Sequence, residues 1–332
     1  MKRCCAVIIL VLAGIAGTAD AATVCVSTAN GIQSALNIAA ANGQDDVIAI
    51  VGGSYPLSTK LTFNSTEAHS LALVGGWNAG CTINTGMATT LNGQHAVQLL
   101  EASNSNGSIE VSLITFVAGT ASNAIVYVSS NIGSAIVDRN IFVGNRSLED
   151  IGALTVYVGG GGVRVRENLV VANRGGLLGG IFVSQESGES YITGNTIVSN
   201  TSDAEGVGGG LFISGGHFTI SNNIIWNNAG ATGSDFSTQA AHSRFNNDIG
   251  LVGIGAAPDQ MIGEQYVDPQ FASCGFLCFE LAWDSPLVDA GVDAPAAGQL
   301  SVDLVGKPRK LGAHVDIGAY ENEVIFVDGF EP

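Results

Sequence analysis

The feature that decides the architecture is a short pattern that returns four times at a nearly fixed distance. Arg139-Asn140-Ile141-Phe142-Val143-Gly144-Asn145 recurs as Glu167-Asn168-Leu169-Val170-Val171-Ala172-Asn173 and as Gly194-Asn195-Thr196-Ile197-Val198-Ser199-Asn200. The fourth copy is Asn222-Asn223-Ile224-Ile225-Trp226-Asn227-Asn228. The leading asparagines (Asn140, Asn168, Asn195, Asn223) stand 28, 27 and 28 residues apart. A period in the twenties marks a solenoid, because a unit that small buries its apolar face only against the next copy. A propeller blade takes about 40–45 residues and does not fit.

Each unit holds three short runs of β-forming residues between polar or glycine-rich turns, for example Ile181-Phe182-Val183, Tyr191-Ile192 and Thr196-Ile197-Val198. Such runs are too short for helices and alternate as half-buried strands do. Three strands per coil, stacked coil on coil, predict an all-β parallel β-helix over residues 45–265. Roughly eight coils at the strand spacing would make a rod about 40 Å long. Equivalent side chains then lie about 4.8 Å apart. A column of asparagines can donate to one neighbour and accept from the other, which satisfies buried turns without charge. Asparagine also tolerates the left-handed backbone of a tight bend, expected here at the ladder positions themselves. The residue two beyond each leading Asn (Phe142, Val170, Ile197, Ile225) is expected to face inward.

The ends read differently. Residues 1–21 have a secretory pattern: Lys2 and Arg3, an apolar stretch from Ala6 to Gly17, and small residues at Ala19-Asp20-Ala21. Residues 22–44 should form an N-terminal cap. Ile32, Ala35, Leu36, Ala39 and Ala40 recur at helical spacing, with Thr28 or Asn30 as N-cap and Gly43 as the stop. Such a cover is needed where an end coil would expose strand edges. Residues 266–321 lose the period and are expected to form a C-terminal cap segment, followed by a short acidic-aromatic tail, 322–332. No run after the leader is long and apolar enough to span a bilayer, so the mature chain is expected to be exported and not membrane-spanning.

Removing Lys2, Arg3 and Asp20 with the leader leaves 10 basic against 28 acidic residues. That field disfavours nucleic acid and polyanions as partners. Four cysteines remain, Cys25, Cys81, Cys274 and Cys278, and in an oxidising compartment they suggest two disulfides. Three pairings are possible. Cys25–Cys81 and Cys274–Cys278 are preferred, the second because it is local and the first because both residues lie in the N-terminal third. The five histidines are scattered, which argues against zinc.

Three groups are candidates for function. Turns after the trailing asparagines carry Arg146, Arg174, Glu149, Asp150, Asp203 and Glu205. A carboxylate pair there could hydrolyse a sugar bond and an Arg could serve lyase chemistry, although ordinary solvated charge explains the same residues. If Val126, Val128, Val156, Val158, Ile181, Val183, Leu211 and Ile213 face inward, strand alternation sends Tyr127, Tyr157, Phe182 and Phe212 outward. They are expected as one column of rings along the rod, suited to a polysaccharide; the opposite phase would make them core. Asp289, Asp293, Asp303 and Asp316 could offer oxygens to calcium. No EF-hand spacing is present, so Asp–Arg309 pairing within a cap is the favoured reading, with no metal and no other cofactor.

Ile32-Gln33-Ser34-Ala35-Leu36 through Gly53-Ser54-Tyr55 resembles the N-terminal cap and first coil of pectin-lyase-like right-handed β-helix proteins. Ser285-Pro286-Leu287-Val288-Asp289-Ala290-Gly291, Asp303–Arg309 and Val315–Glu321 are similar to the C-terminal signature of secreted choice-of-anchor Q domain proteins. Gly208-Gly209-Gly210-Leu211 and Phe142-Val143-Gly144-Asn145 resemble repeats of polymorphic outer-membrane proteins, which are adhesins. The resemblance implies a right-handed coil and an extracellular or outer-surface location in a Gram-negative bacterium. It also implies adhesin-like binding of polysaccharide or cell-surface glycan, with a polysaccharide lyase or glycoside hydrolase as the alternative. The calcium-binding aspartates of pectate lyases and the Asn-Thr-Asp, Asp-Asp, Gly-His-Gly and Arg-Ile-Lys motifs of polygalacturonases are missing, which weighs against an enzyme.

Overall fold

The computed structural model describes residues 21–203, 207–230, 234–273, 275, 277–296 and 298–322. The leader, Cys274, Glu205 and the tail from residue 323 lie outside them, so the Cys274–Cys278 pairing does too. Within them the chain is a right-handed parallel β-solenoid of about eight turns with one helix. A first face stacks Leu61–Ser65, Leu100–Asn104, Val126–Ser130 and Leu154–Val158, and a second stacks Asp46–Val51, Leu71–Trp77, Ile109–Ser112, Ala135–Asp138 and Val163–Arg166. Ile181–Thr193 and Leu211–Ser221 each run continuously through both. The third face is an eight-stranded sheet from Gly53–Pro56 to Asp248–Ile249. A fourth, two-residue strand joins the coils at Thr120–Ala121, Arg146–Ser147, Arg174–Gly175 and Thr201–Ser202, so the middle coils have three long strands and one short one.

Alternation sets the core. Val126, Val128, Val156, Val158, Ile181, Val183, Leu211 and Ile213 are all sealed inside. So is the column Leu91, Phe116, Phe142, Val170, Ile197, Ile225 and Ile249, in which Phe116 and Phe142 stack at 5.1 Å. Each buried side chain of this size contributes about 1.5–3 kcal/mol.

The asparagines form two continuous ladders. In the first, each Nδ2 donates to the Oδ1 one coil on: Asn140 to Asn168 (3.2 Å), Asn168 to Asn195, Asn195 to Asn223 and Asn223 to Asn247 (2.9 Å each). The same Oδ1 takes the backbone N–H of the preceding Asn, and the second Nδ2 hydrogen goes back to the coil before, as from Asn195 to the Val165 carbonyl at 2.8 Å. Every amide valence is used. Because all the amides point one way, the last donor needs an acceptor. Glu264 Oε1 takes Asn247 at 2.7 Å, and Asp235 Oδ1 ends the second ladder (Asn145, Asn173, Asn200, Asn228) at 2.9 Å.

The left-handed residues are not the ladder asparagines. They are the residues immediately before them: Arg139, Glu167, Gly194, Asn222 and Asn246 on one side, Gly144, Ala172, Ser199 and Asn227 on the other. The bend turns one residue early, and the ladder Asn keeps ordinary backbone so that its amide can point along the axis.

Thr28 caps the helix Ala29–Ala39, its hydroxyl accepting from Gly31 N–H at 3.0 Å. Ile32, Ala35, Leu36 and Ala39 close the N-terminal end of the core, and the helix stops at Ala40, short of Gly43. An extra strand, Ala22–Val26, pairs with Asp46–Val51, and Cys25 joins Cys81 in a disulfide. Closing that 56-residue separation restrains the unfolded chain by about 4 kcal/mol.

Residues 266–322 fold back lengthwise along the third face instead of sitting over the last coil. Leu281, Leu287, Leu304, Ile317, Ala319 and Tyr320 pack on the outward residues Val143, Leu169, Val171, Val198 and Ile224. Ala319 N–H donates to Thr196 Oγ1 (2.9 Å) and Gly318 N–H to the Asn222 carbonyl (2.8 Å). At φ +107 and with a Cβ that would lie 2.7 Å from Ile224 Cδ1, position 318 accepts only glycine.

Candidate functional site

The third face is covered, so the outward residues of the first face are the next place to look. Tyr127, Tyr157, Phe182 and Phe212 all point outward and are half-buried, with their strand neighbours sealed inside. They do not form a single column. The register aligns Glu101, Tyr127, Thr155, Phe182, Phe212 and Ser237. Tyr157 is two residues along, aligned with Ser129, Ser184 and Ser214, and its hydroxyl bonds Glu186. The buried valines, isoleucines and leucine settle the phase in favour of outward rings, but neighbouring outward positions on one strand belong to different columns.

The ring arrangement also differs from a flat platform. Phe182 and Phe212 stack on each other, centroids 5.6 Å apart and planes within 16°. Their facing surfaces are spent, and only edges and the ends of the column are open. Ala124, Ile151 and Leu178 pack against the inner side of Tyr127, Phe182 and Phe212 and tie the rings to the adjoining turns.

At the Tyr127 end a cavity of about 200 Å³ is lined by Gln98, Glu101, Asn123, Ala124, Tyr127 and Asp150. One ring, two carboxylates and two primary amides converge there. Glu101 is also held by Lys60 across the coil. Of the sequence candidates, Tyr127 and Asp150 therefore meet in one pocket, while Gln98, Glu101 and Asn123 were missed. They precede the regular repeats, where no periodic signal ties them to Tyr127; only the column register does.

Among the described residues, the remaining charged candidates do not gather into a catalytic pair. Arg146 and Arg174 stand one coil apart in register. Arg174 Nε donates to Asp203 Oδ1 at 2.7 Å, which occupies both. Glu149 is exposed on the adjoining turn.

In the flanking segment, Asp303 accepts the backbone N–H groups of Val305, Lys307 and Glu321, and Asp316 those of Asp289 and Asn322. Asp289 accepts from His314 N–H, and Asp293 bonds Lys310 and Val315 N–H. These carboxylates hold turns. Arg309 does not pair with them. Its Nε lies 3.3 Å from Glu167 and its Nη1 3.4 Å from Glu321, while Nη2 donates to the carbonyls of Asp316 and Gly318. Burial pushes Glu167 up to about 8 against the offsetting Arg309, and Glu321 up to about 7. The cluster stitches the segment to the rod.

Among the described residues no helix is long and apolar enough to cross a membrane. Comparison of the chain with family models, with curated proteins and with solved structures found no match, so the parallel β-solenoid is what is established and the family resemblances stand on their motifs alone.

Proposed function

We propose that this chain is an exported, adhesin-like β-helix protein of the choice-of-anchor Q or pectin-lyase-like kind that recognises carbohydrate on its uncovered first face. The observation that carries the reading is the Tyr127 pocket. A half-buried ring beside Glu101, Asp150, Gln98 and Asn123 offers an apolar surface for sugar C–H groups and both donors and acceptors for hydroxyls. The column of Ser103, Ser129, Tyr157, Ser184 and Ser214 runs alongside and adds hydroxyls and a further ring to that face. The excess of 28 acidic residues over 10 basic ones in the chain without its leader favours a neutral or cationic glycan. Export is supported by the basic-then-apolar leader and by the Cys25–Cys81 disulfide, which suits an oxidising compartment.

A hydrolase is the second reading, because Glu101 and Asp150 line one pocket as an acid/base pair would. A polysaccharide array read for both binding and new reducing or unsaturated ends separates the two. Retention of a neutral glycan without product supports recognition; turnover abolished by Glu101→Gln and Asp150→Asn would replace recognition by catalysis. A chain that neither retains nor cleaves any glycan sinks both.

A further inference from the structure

The aromatic column ends abruptly at its other end. Phe182 stacks on one face of Phe212, and the next residue in register is Ser237, so that among the described residues no ring covers the opposite face. That free face opens into a cavity of about 400 Å³ whose other walls are Val207, Thr238, Gln239 and Ile254, with Gly255 and Ala256 behind. The volume lies within the range of small-molecule sites. Ser237 is occupied, its hydroxyl bonded to Ser234 Oγ (2.7 Å) and to the Val207 carbonyl (3.3 Å), so the floor asks for no polar partner. Exposed Gln239 stands at the rim with an amide to spare for one hydrogen bond.

We infer that this cavity is a binding site for a flat, uncharged aromatic ring, which would continue the Phe182–Phe212 stack as its third member. A ring seated there takes the position that a side chain at 237 would hold, about 4.8 Å farther along the axis. A ring lying parallel to Phe212 would take the offset-stacked arrangement that aromatic pairs favour. Val207 and Ile254 line its edges from the solvent side, and the Gln239 amide would meet an N–H or O–H substituent. The site is separated from the Tyr127 pocket by the coils that carry Thr155 and Phe182 and does not depend on saccharide binding there.

Indole is a suitable probe, observed by saturation-transfer NMR and titrated against the whole exported chain. Millimolar binding is expected, roughly tenfold weaker in Phe212→Ala from the lost stacking and apolar contact. Gln239→Trp, which fills the cavity from the rim without touching the core, should abolish it, and Tyr127→Ala should leave it unchanged. Gln239→Trp decides the matter if Phe212→Ala fails to fold. The site is refuted if indole does not bind the wild type, if binding survives Gln239→Trp, or if Tyr127→Ala removes it. A failed glycan array alongside normal indole binding would remove the carbohydrate reading and leave this one standing.

Discussion

The first and third faces of the rod are built alike and finished differently. Both carry outward apolar residues: Tyr127, Phe182 and Phe212 share one register position on the first, while the third has two adjacent columns, one with Val143, Val171 and Val198 and one with Leu169 and Ile224. The segment from Val267 to Tyr320 converts the third-face residues into core, with Leu287, Ile317 and Ala319 fully buried against them. The first-face column keeps its rings half open, packed on Ala124, Ile151 and Leu178 of the adjoining turns. A solenoid's interior carries its own packing, so an outward apolar column can be covered, as on the third face, or stay open to solvent, as on the first. The covered flank adds to the packed core, and the open flank is the one on which the proposed recognition rests.

The largest expected effect is on the covered flank. Above about pH 8, where Glu167 and Glu321 are both ionised, Arg309→Ala leaves them buried without their cation, a loss of about 3–5 kcal/mol. Hydrogen exchange should then rise first in residues 281–321 and in the third-face strands beneath them. Uniform protection in that variant would mean that the segment is not held by this cluster.

The same cluster gives a pH dependence. Glu167 titrates near 8 and Glu321 near 7 in the folded chain, above the ordinary carboxylate range. Such groups hold their protons more tightly when folded. Their contribution is therefore full below about pH 4.5 and is lost as the pH rises through 7 to 8, on the order of a few kcal/mol. Melting temperature should fall from pH 5 to pH 8.5, and Glu167→Gln should flatten the fall. A curve of unchanged slope in Glu167→Gln would place the dependence elsewhere.

Asn195→Ala interrupts a ladder of neutral amides and strands two donors of Asn168, its backbone N–H and its Nδ2, at a cost of about 1–3 kcal/mol. Unlike the Arg309 cluster, this loss should not vary with pH between 5 and 8. Equal melts for Asn195→Ala and wild type would contradict the ladder's role. The smallest effect on stability belongs to the open flank. Tyr127→Ala, half-exposed and outside the sealed core, should cost less than about 1 kcal/mol, and a larger loss would make the ring a structural element.

The repeat made the solenoid and the inward column Phe142, Val170, Ile197 and Ile225 legible, because period and alternation are properties of neighbouring residues; alternation left both phases open for the rings, since either one buries apolar side chains. What was not legible lies between coils. Tyr157 sits in a serine column because register, not alternation, decides columns. Glu101 joins Asp150 across two coils for the same reason. The left-handed positions fell to Arg139 and Glu167, residues that no propensity would have picked, because Asn140 and Asn168 are needed in the ladder one step later. The flank packing of residues 266–322 left only a loss of period in the sequence, since an irregular segment takes its shape from the face it covers.

The division between the two flanks is tested most directly by isothermal titration of the best-retained neutral glycan against wild type, Tyr127→Ala and Leu287→Ala. Tyr127→Ala is expected to weaken binding at least about tenfold with its melt nearly unchanged, and Leu287→Ala to lower the melt while its folded fraction binds normally. Undiminished binding by Tyr127→Ala, with affinity lost in Leu287→Ala at a temperature where it is fully folded, would place recognition on the covered flank and contradict the assignment.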